Sequence, residues 1–387
     1  MPVKNRFAEL HDDITAWRRD LHEHPEILFE THRTSATVAQ KLRAFGCDEV
    51  TEGIGRTGVV GVIKGKSTAS GKVIGLRADM DALPIHEETG LEYASKTDGA
   101  MHACGHDGHT AMLLGAAQYL AETRNFDGTT VVIFQPAEEG GGGAKVMCDD
   151  DLMDRWGIQE VYGMHNWPGM PAGSFAIRPG PFFAATDLLD IEIEGLGGHA
   201  AKPNETVDTT VVASQIVSAL QTIVSRNADP VGNIVVSITS FQTSSNAYNV
   251  IPQKVHLKGT VRTMSLELRD LADKRVNEIC SGIASAMGAV ARVTYHRNYP
   301  VMVNHGEQTE FAADVARSIS GDCAEAPLVM GGEDFAFMLE ERPGAYILVG
   351  NGDTAMVHHP KYNFNDEIIP VGCSWWAGIV EQRMTAA

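Results

Sequence analysis

The sequence predicts an α/β fold interrupted by an inserted ferredoxin-like α+β domain of βαββαβ order, on three observations. Short apolar runs bounded by glycine, such as TGVVGVIKG and KVIGLRADMDALPI, read as buried strands. From residue 186 to residue 298 the pattern changes to half-exposed alternating strands and amphipathic helices. At 387 residues the chain exceeds the size at which one core stops growing, so two domains are expected. The expected division is a larger domain in two parts, residues 1–185 and 299–387, around an insertion at residues 186–298.

Taken in order, residues 5–45 carry two helical patterns, Phe7 to Leu21 and Thr34 to Phe45, separated at Pro25. His22 and His24 lie between them with nothing adjacent that completes a site, and read as packing or capping groups. The run KVIGLRADMDALPI then ends in Asp79 and Asp81, where open α/β sheets place function; a solvated loop is the alternative.

The stretch MHACGHDGHT, residues 101–110, packs His102, Cys104, His106, Asp107 and His109 together, all of them residue types that bind first-row transition metals. Gly105 and Gly108 let the backbone bend, so that Cys104 and His106 could reach one ion. TAMLLGAAQYLAET follows as a buried helix, which puts the cluster at a helix entrance. A single Cys or His would read as packing; five such residues in ten favour a metal.

Next, TTVVIFQPAEEGGGGA runs a β-branched strand into Glu138 and Glu139. Adjacent carboxylates at a strand end repel each other and are best tolerated where cations or protons offset them. A dinuclear metal site would do so: one Glu could bind metal while its neighbour acts as general base on water. No Lys-Ser/Thr follows the glycines, so a phosphate loop ranks low. EVYGMHNWP is a third apolar approach ending in a candidate ligand, His165.

In the insertion, DLLDIEIEG sets Leu189, Ile191 and Ile193 on one face and acids on the other, and Val212, Ile216, Leu220 and Ile223 recur at helical spacing. NIVVSITSF, KVHLKGTVRT, a helical pattern from Ser265 to Met287 and AVARVTYH complete the βαββαβ order. Loops hold GLGGHAAKP, with His199, and NAYNVIP, with Asn249. Beyond Pro300 the buried pattern returns, and VHHPKYNFND offers His358 or His359 just past a strand.

Composition limits the partners. The formal charge of −19 argues against nucleic acid and anionic membranes. The 6 cysteines are scattered without a CxxC pair, which suggests neither a disulfide framework nor a zinc finger, and no resolving cysteine near Cys104 supports a redox role. With no apolar leader or membrane span, a cytoplasmic location is expected.

Together RADMDALP, MHACGHDGHT, PAEEGGGGA, MHNWPGMPAG, GGHAAKP, NVIP, GGEDFA and HHPKYNFND resemble, in order and over nearly the whole chain, the bacterial hippurate hydrolases and plant indole-acetyl-amino-acid hydrolases. These form a branch of the aminoacylase and carboxypeptidase superfamily of dinuclear metallopeptidases. The resemblance implies a zinc-peptidase-like catalytic domain with the insertion as lid and dimerisation domain. It implies that Cys104, His106, Glu139, His165 and His358 bind two divalent ions, zinc, manganese, cobalt or nickel, with Glu138 as the base. His358 is preferred to His359 because the family places its ligand before a variable residue and Pro. Asp81 matches the acid that orients the metals; where many relatives carry a His two residues earlier, this chain has Asp79.

Asn249 and Arg262 match positions that hold the substrate carboxylate, and His199 matches one that reaches the neighbouring subunit's site and stabilises the oxyanion. The implied function is hydrolysis of N-acyl-amino acids by a homodimer or higher homo-oligomer. A dipeptidase or carboxypeptidase is the alternative within the same chemistry. A silent metal-binding scaffold is the rival outside it, and the presence of Glu138 disfavours that rival.

Overall fold

The computed structural model describes residues 4–386. These divide into two compact units: residues up to Gly180, Val303–Pro327 and Asp334 onward form one, and Pro181–Met302 with Leu328–Glu333 the other. Residues 328–333 join the second unit because Val329 exchanges backbone hydrogen bonds with Phe182 and Ala184. The boundaries expected at 185 and 298 contain no such excursion, since a short glycine-rich stretch carries no periodicity to reveal it.

The first unit is built on an eight-stranded sheet in the order Glu49–Ile54, Gly58–Lys64, Thr129–Gln135, Val73–Asp79, Glu160–Pro168, Gly344–Gly352, Phe175–Ile177, Ala324–Glu325. Its four central strands, from Thr129–Gln135 to Gly344–Gly352, run parallel, and Gly58–Lys64 and Glu49–Ile54 extend it antiparallel. The central strands are buried along nearly their whole length, as their content of Val, Ile and Leu requires, and Arg77 is buried among them. Helix His106–Thr123 is buried on most of its surface and helix Ile369–Arg383 brings Trp375 and Trp376 into the same core. Because neighbouring strands are parallel, their C-terminal ends share one edge, and the loops leaving that edge converge.

The first helical pattern is two helices rather than one, Asn5–Glu9 and His11–Glu23, parted at Leu10, where the chain turns with ψ −4°. His24 ends the second: its ring donates from Nδ1 to the Asp20 carbonyl at 2.8 Å, a capping role as expected.

The second unit has the predicted βαββαβ order. Ala185–Glu194, Thr209–Thr222, Ile234–Thr243, Lys254–Thr263, Leu266–Ala286 and Val290–Tyr299 follow one another, and the sheet order is Ile234–Thr243, Lys254–Thr263, Ala185–Glu194, Val290–Tyr299, antiparallel throughout. Both helices begin at side-chain caps, Asp208 and Ser265. Leu189, Ile191 and Ile193 pack against Val212, Ile216, Leu220, Val276 and Cys280, while Glu192 and Glu194 on the other face pair with Arg292. Burying one stripe of each strand and solvating the other is what the alternation demands.

Candidate metal centre

Three of the parallel strands end at the candidate residues. Val73–Asp79 leads to Asp81, Thr129–Gln135 leads to Glu138 and Glu139, and Glu160–Pro168 carries His165. Cys104 and His106 stand at the entrance of helix His106–Thr123, where Gly105 holds φ +90°, a conformation a side chain would strain. His358 has φ +66°, and its backbone N–H donates to the Ala103 carbonyl at 2.7 Å, which ties the loop after Gly344–Gly352 to the Cys104 segment. Ala137, before the two glutamates, is also left-handed at φ +55°.

These side chains meet. Cys104 Sγ lies 3.3 Å from His165 Nε2, His358 Nε2 lies 3.2 Å from Glu139 Oε1, and His106 Nε2 lies 4.0 Å from that same oxygen. The ligand-type atoms of Cys104, His106 and His165 fall within 4.8 Å of one another, as do those of Cys104, Glu139 and His358 and those of His106, Glu138 and Glu139. Each of two rings is fixed by its other nitrogen: His106 Nδ1 donates to the Asp81 carbonyl at 2.8 Å, and His165 Nδ1 to the Asn166 carbonyl at 2.6 Å. Both imidazoles therefore turn an Nε2 lone pair into the cluster, the arrangement that metal-binding histidines need.

The donor set fits cations. His106 Nε2 is buried and has no hydrogen-bond partner, a costly state unless something else binds it, and Glu139 Oε1 beside it meets only His358 Nε2. Burial works against a charged His106, yet Asp79, Asp81 and Glu139 raise it to about 10, so the surroundings call for positive charge at that spot. Burial, with Glu139, Glu138 and Asp79, pushes the Cys104 thiol well above its usual value, which a divalent neighbour would reverse.

Asp81 is buried and supports this arrangement from behind. Burial raises its pKa, while both its oxygens are engaged by backbone N–H groups of Glu138 and Glu139. Asp79 touches the cluster, its Oδ2 3.7 Å from His106 Nε2, and is held by a network of its own. It accepts from Arg77 Nη1 at 2.8 Å and from His109 Nδ1 at 2.6 Å, and although burial opposes its charge, His106, Arg77 and His109 hold its carboxyl well below the usual range. His109 Nε2 in turn accepts the Asn166 backbone N–H at 2.9 Å, so both of its ring nitrogens are occupied.

The residues predicted in the insertion lie in the second unit. His199 is exposed, in the short strand Gly198–His199, which pairs with Val250–Ile251, and the Asn249 carbonyl accepts from Ala200 N–H at 3.0 Å. The Gly-Gly-His and Asn-Val-Ile-Pro segments are thereby neighbours. Arg262 is half-buried on strand Lys254–Thr263, between Val235 and Thr186.

Sequence reasoning missed Asn166, Tyr362 and the role of His22. His22 is buried with Nδ1 2.8 Å from Asp107 Oδ2, in an ion-paired cluster that includes Arg18 and Glu87. A His and an Asp 85 residues apart carry no local signal of pairing. The remaining residue of the 101–110 cluster, His102, is buried with neither ring nitrogen partnered, and burial lowers its pKa to about 4.

Comparison with known proteins agrees with the resemblance read from the motifs. The profile of Peptidase family M20/M25/M40 matches residues 75–382. The hippurate hydrolase of Campylobacter jejuni is 42% identical over 375 residues, covering 96% of each chain. The N-acetylcysteine deacetylase of Bacillus subtilis is 39% identical over 368 residues, covering 95% of this chain and 96% of that one. Among solved structures, a dinuclear metal-binding peptidase of the M20 family from Bacillus subtilis superimposes with a TM-score of 0.86 at 34% identity, over 98% of this chain and 100% of the other.

Proposed function

The chain belongs to peptidase family M20/M25/M40 and is a metal-dependent amidohydrolase, and from that premise we propose that it releases amino acids from N-acyl-amino acids at a site that takes two metal ions. Cys104, His106, Glu139, His165 and His358 are the residues that would hold them. The observation that carries this assignment is the buried, unpartnered His106 Nε2, 4.0 Å from Glu139 Oε1 in a cluster of ligand-type side chains.

Divalent ions at this place supply Lewis acidity, polarising an amide carbonyl and acidifying water. The chain's own groups do the rest. Glu138 takes the proton from the attacking water and passes it to the leaving nitrogen. Asp81 holds the backbone of Glu138 and Glu139, so that one carboxylate is kept for the proton and its neighbour for a cation. Asn249 and Arg262 are read as the groups for the substrate carboxylate and His199 as the group for the oxyanion of a partner subunit.

A homodimer through residues of about 186–298 is part of the same reading. Strand Ile234–Thr243 is an edge of its sheet and exposes Val235 and Phe241, at 39% and 41%, which supports pairing with a second copy. No helix among the described residues is long and apolar enough to cross a membrane. The six free cysteines support a reducing compartment, the cytoplasm.

Soft Cys104 favours zinc, while the His and carboxylate donors also accept manganese, cobalt or nickel. The test is amino-acid release from acetyl-, benzoyl- and long-chain-acyl-amino acids and from dipeptides, with each of these metals. Release from one acyl class well above dipeptides, abolished by a chelator, is expected. Cleavage of dipeptides alone would move the assignment to a dipeptidase.

A further inference from the structure

Asn166 follows His165 directly, is fully buried, and has every polar atom engaged. Its backbone N–H donates to His109 Nε2 at 2.9 Å and its carbonyl accepts His165 Nδ1–H at 2.6 Å. Its side-chain nitrogen donates to the Cys104 carbonyl at 2.6 Å, and its side-chain oxygen accepts the Tyr362 hydroxyl at 2.6 Å. Four segments meet on this one residue: strand Glu160–Pro168, the loop that carries Cys104, helix His106–Thr123 and the loop that carries His358. The approach is close. A Cβ on Gly105 would stand 2.2 Å from the Asn166 side-chain nitrogen and 2.5 Å from the Tyr362 hydroxyl, so the clamp needs glycine there.

We propose that Asn166 is a positioning residue: its carboxamide, braced by Tyr362, sets where Cys104 faces His165, and thereby governs metal affinity. The inference rests on reading Cys104 and His165 as metal ligands. Only the side-chain links carry it, among them a second approach of the side-chain nitrogen to His109 Nε2 at 3.0 Å, because the backbone bonds to His109 and His165, and the strand pairing opposite Val349, do not depend on the side chain. A carboxamide is required for a chemical reason. It must donate at one end, to a carbonyl, and accept at the other, from a hydroxyl, whereas a carboxylate would set a charged oxygen against the Cys104 carbonyl. Groups that orient a ligand in this way are worth about 10–100-fold in metal affinity.

The test compares the wild type with Asn166→Ala, Asn166→Asp and Tyr362→Phe in three measurements. These are zinc affinity by competition with a chromophoric chelator, the thiolate-to-cobalt absorption of the cobalt-loaded protein, and urea unfolding of the chelator-stripped full chain. We expect Asn166→Ala to lose about 10–100-fold in affinity and to shift or weaken the cobalt band, with Asp no better than Ala and Tyr362→Phe losing less. The unfolding midpoints of the stripped proteins should stay close together. An unchanged affinity and spectrum in Asn166→Ala overturns the proposal, as does a loss of affinity fully matched by destabilisation of the stripped chain. Should Asn166→Ala not fold, Tyr362→Phe, which removes one hydroxyl, decides by the same criteria. A wild type that binds cobalt with no thiolate band sinks the reading of Cys104 as a ligand, and the proposal with it; a failure confined to the variants sinks the proposal alone.

Discussion

Asp81 accepts the backbone N–H of Glu138 through one carboxylate oxygen at 3.0 Å, and that of Glu139 through the other at 3.1 Å. One buried side chain thus fixes the direction in which two adjacent carboxylates leave the main chain, just after the left-handed Ala137. Its own backbone carbonyl accepts from the His106 ring at 2.8 Å, so the same residue orients groups from two loops.

Replacing Asp81 by Asn keeps the shape but turns one acceptor into an amide donor facing an N–H. Metal content after gel filtration and turnover should both fall, by about 10–100-fold in affinity or rate. A variant with wild-type values in both would remove Asp81 from the support of the site.

Cys104→Ser substitutes a hard hydroxyl for a soft thiolate. We expect zinc affinity to drop at least about tenfold, read by equilibrium dialysis against a chelator. In the wild type, bound metal should protect Cys104 from alkylation, mapped by mass spectrometry with and without chelator. Equal labelling in the two states would leave Cys104 as a packing residue.

The buried His22 cluster predicts a pH dependence of stability. Burial disfavours the charged ring, but Asp107 and Glu87 raise its pKa from 6.5 to about 9, with Arg18 and, 6.3 Å away, His102 as the other polar groups facing it. A raised pKa means that the stabilisation is fully present below the unfolded value of 6.5 and is lost as pH rises through about 9. His22→Gln should therefore cost on the order of 3 kcal/mol near pH 6 and much less near pH 10, measured as the difference from wild type in denaturant unfolding at each pH. An equal gap at both would show that His22 is neutral in the fold.

His199 is exposed on its own unit, which suits a group offered to a partner subunit. If it acts in trans, mixing inactive His199→Ala with inactive Glu138→Gln subunits restores one intact site per mixed dimer and part of the activity. No recovery, in mixtures shown to exchange subunits, would contradict it. A donor to the oxyanion should matter by about two to three powers of ten in turnover.

Much of this was legible in the sequence because it is local. The buried strands that end at Asp81, Glu139 and His165 are continuous apolar runs, and the insertion's six elements follow from periodicity alone. What could not be read is what distant segments do to one another. Asn166 and Tyr362 are bonded across 196 residues, and nothing in MHNWPG or KYNFND marks the pair. In the sequence His22 reads as packing for want of a neighbour, and its partner Asp107 lies in MHACGHDGHT, 85 residues on. The break at Leu10 escaped because a turn between two helices of the same apolar phase leaves their periodicity intact.

The central claim is that Glu138 is the base beside a metal-filled cluster, and Glu138→Gln tests it most directly, with metal content and hydrolysis rate measured on one sample. The exchange preserves size and removes the proton acceptor. We predict wild-type metal content and fold with turnover down by about a hundredfold or more. A variant that keeps its metals and hydrolyses at the normal rate would contradict the account.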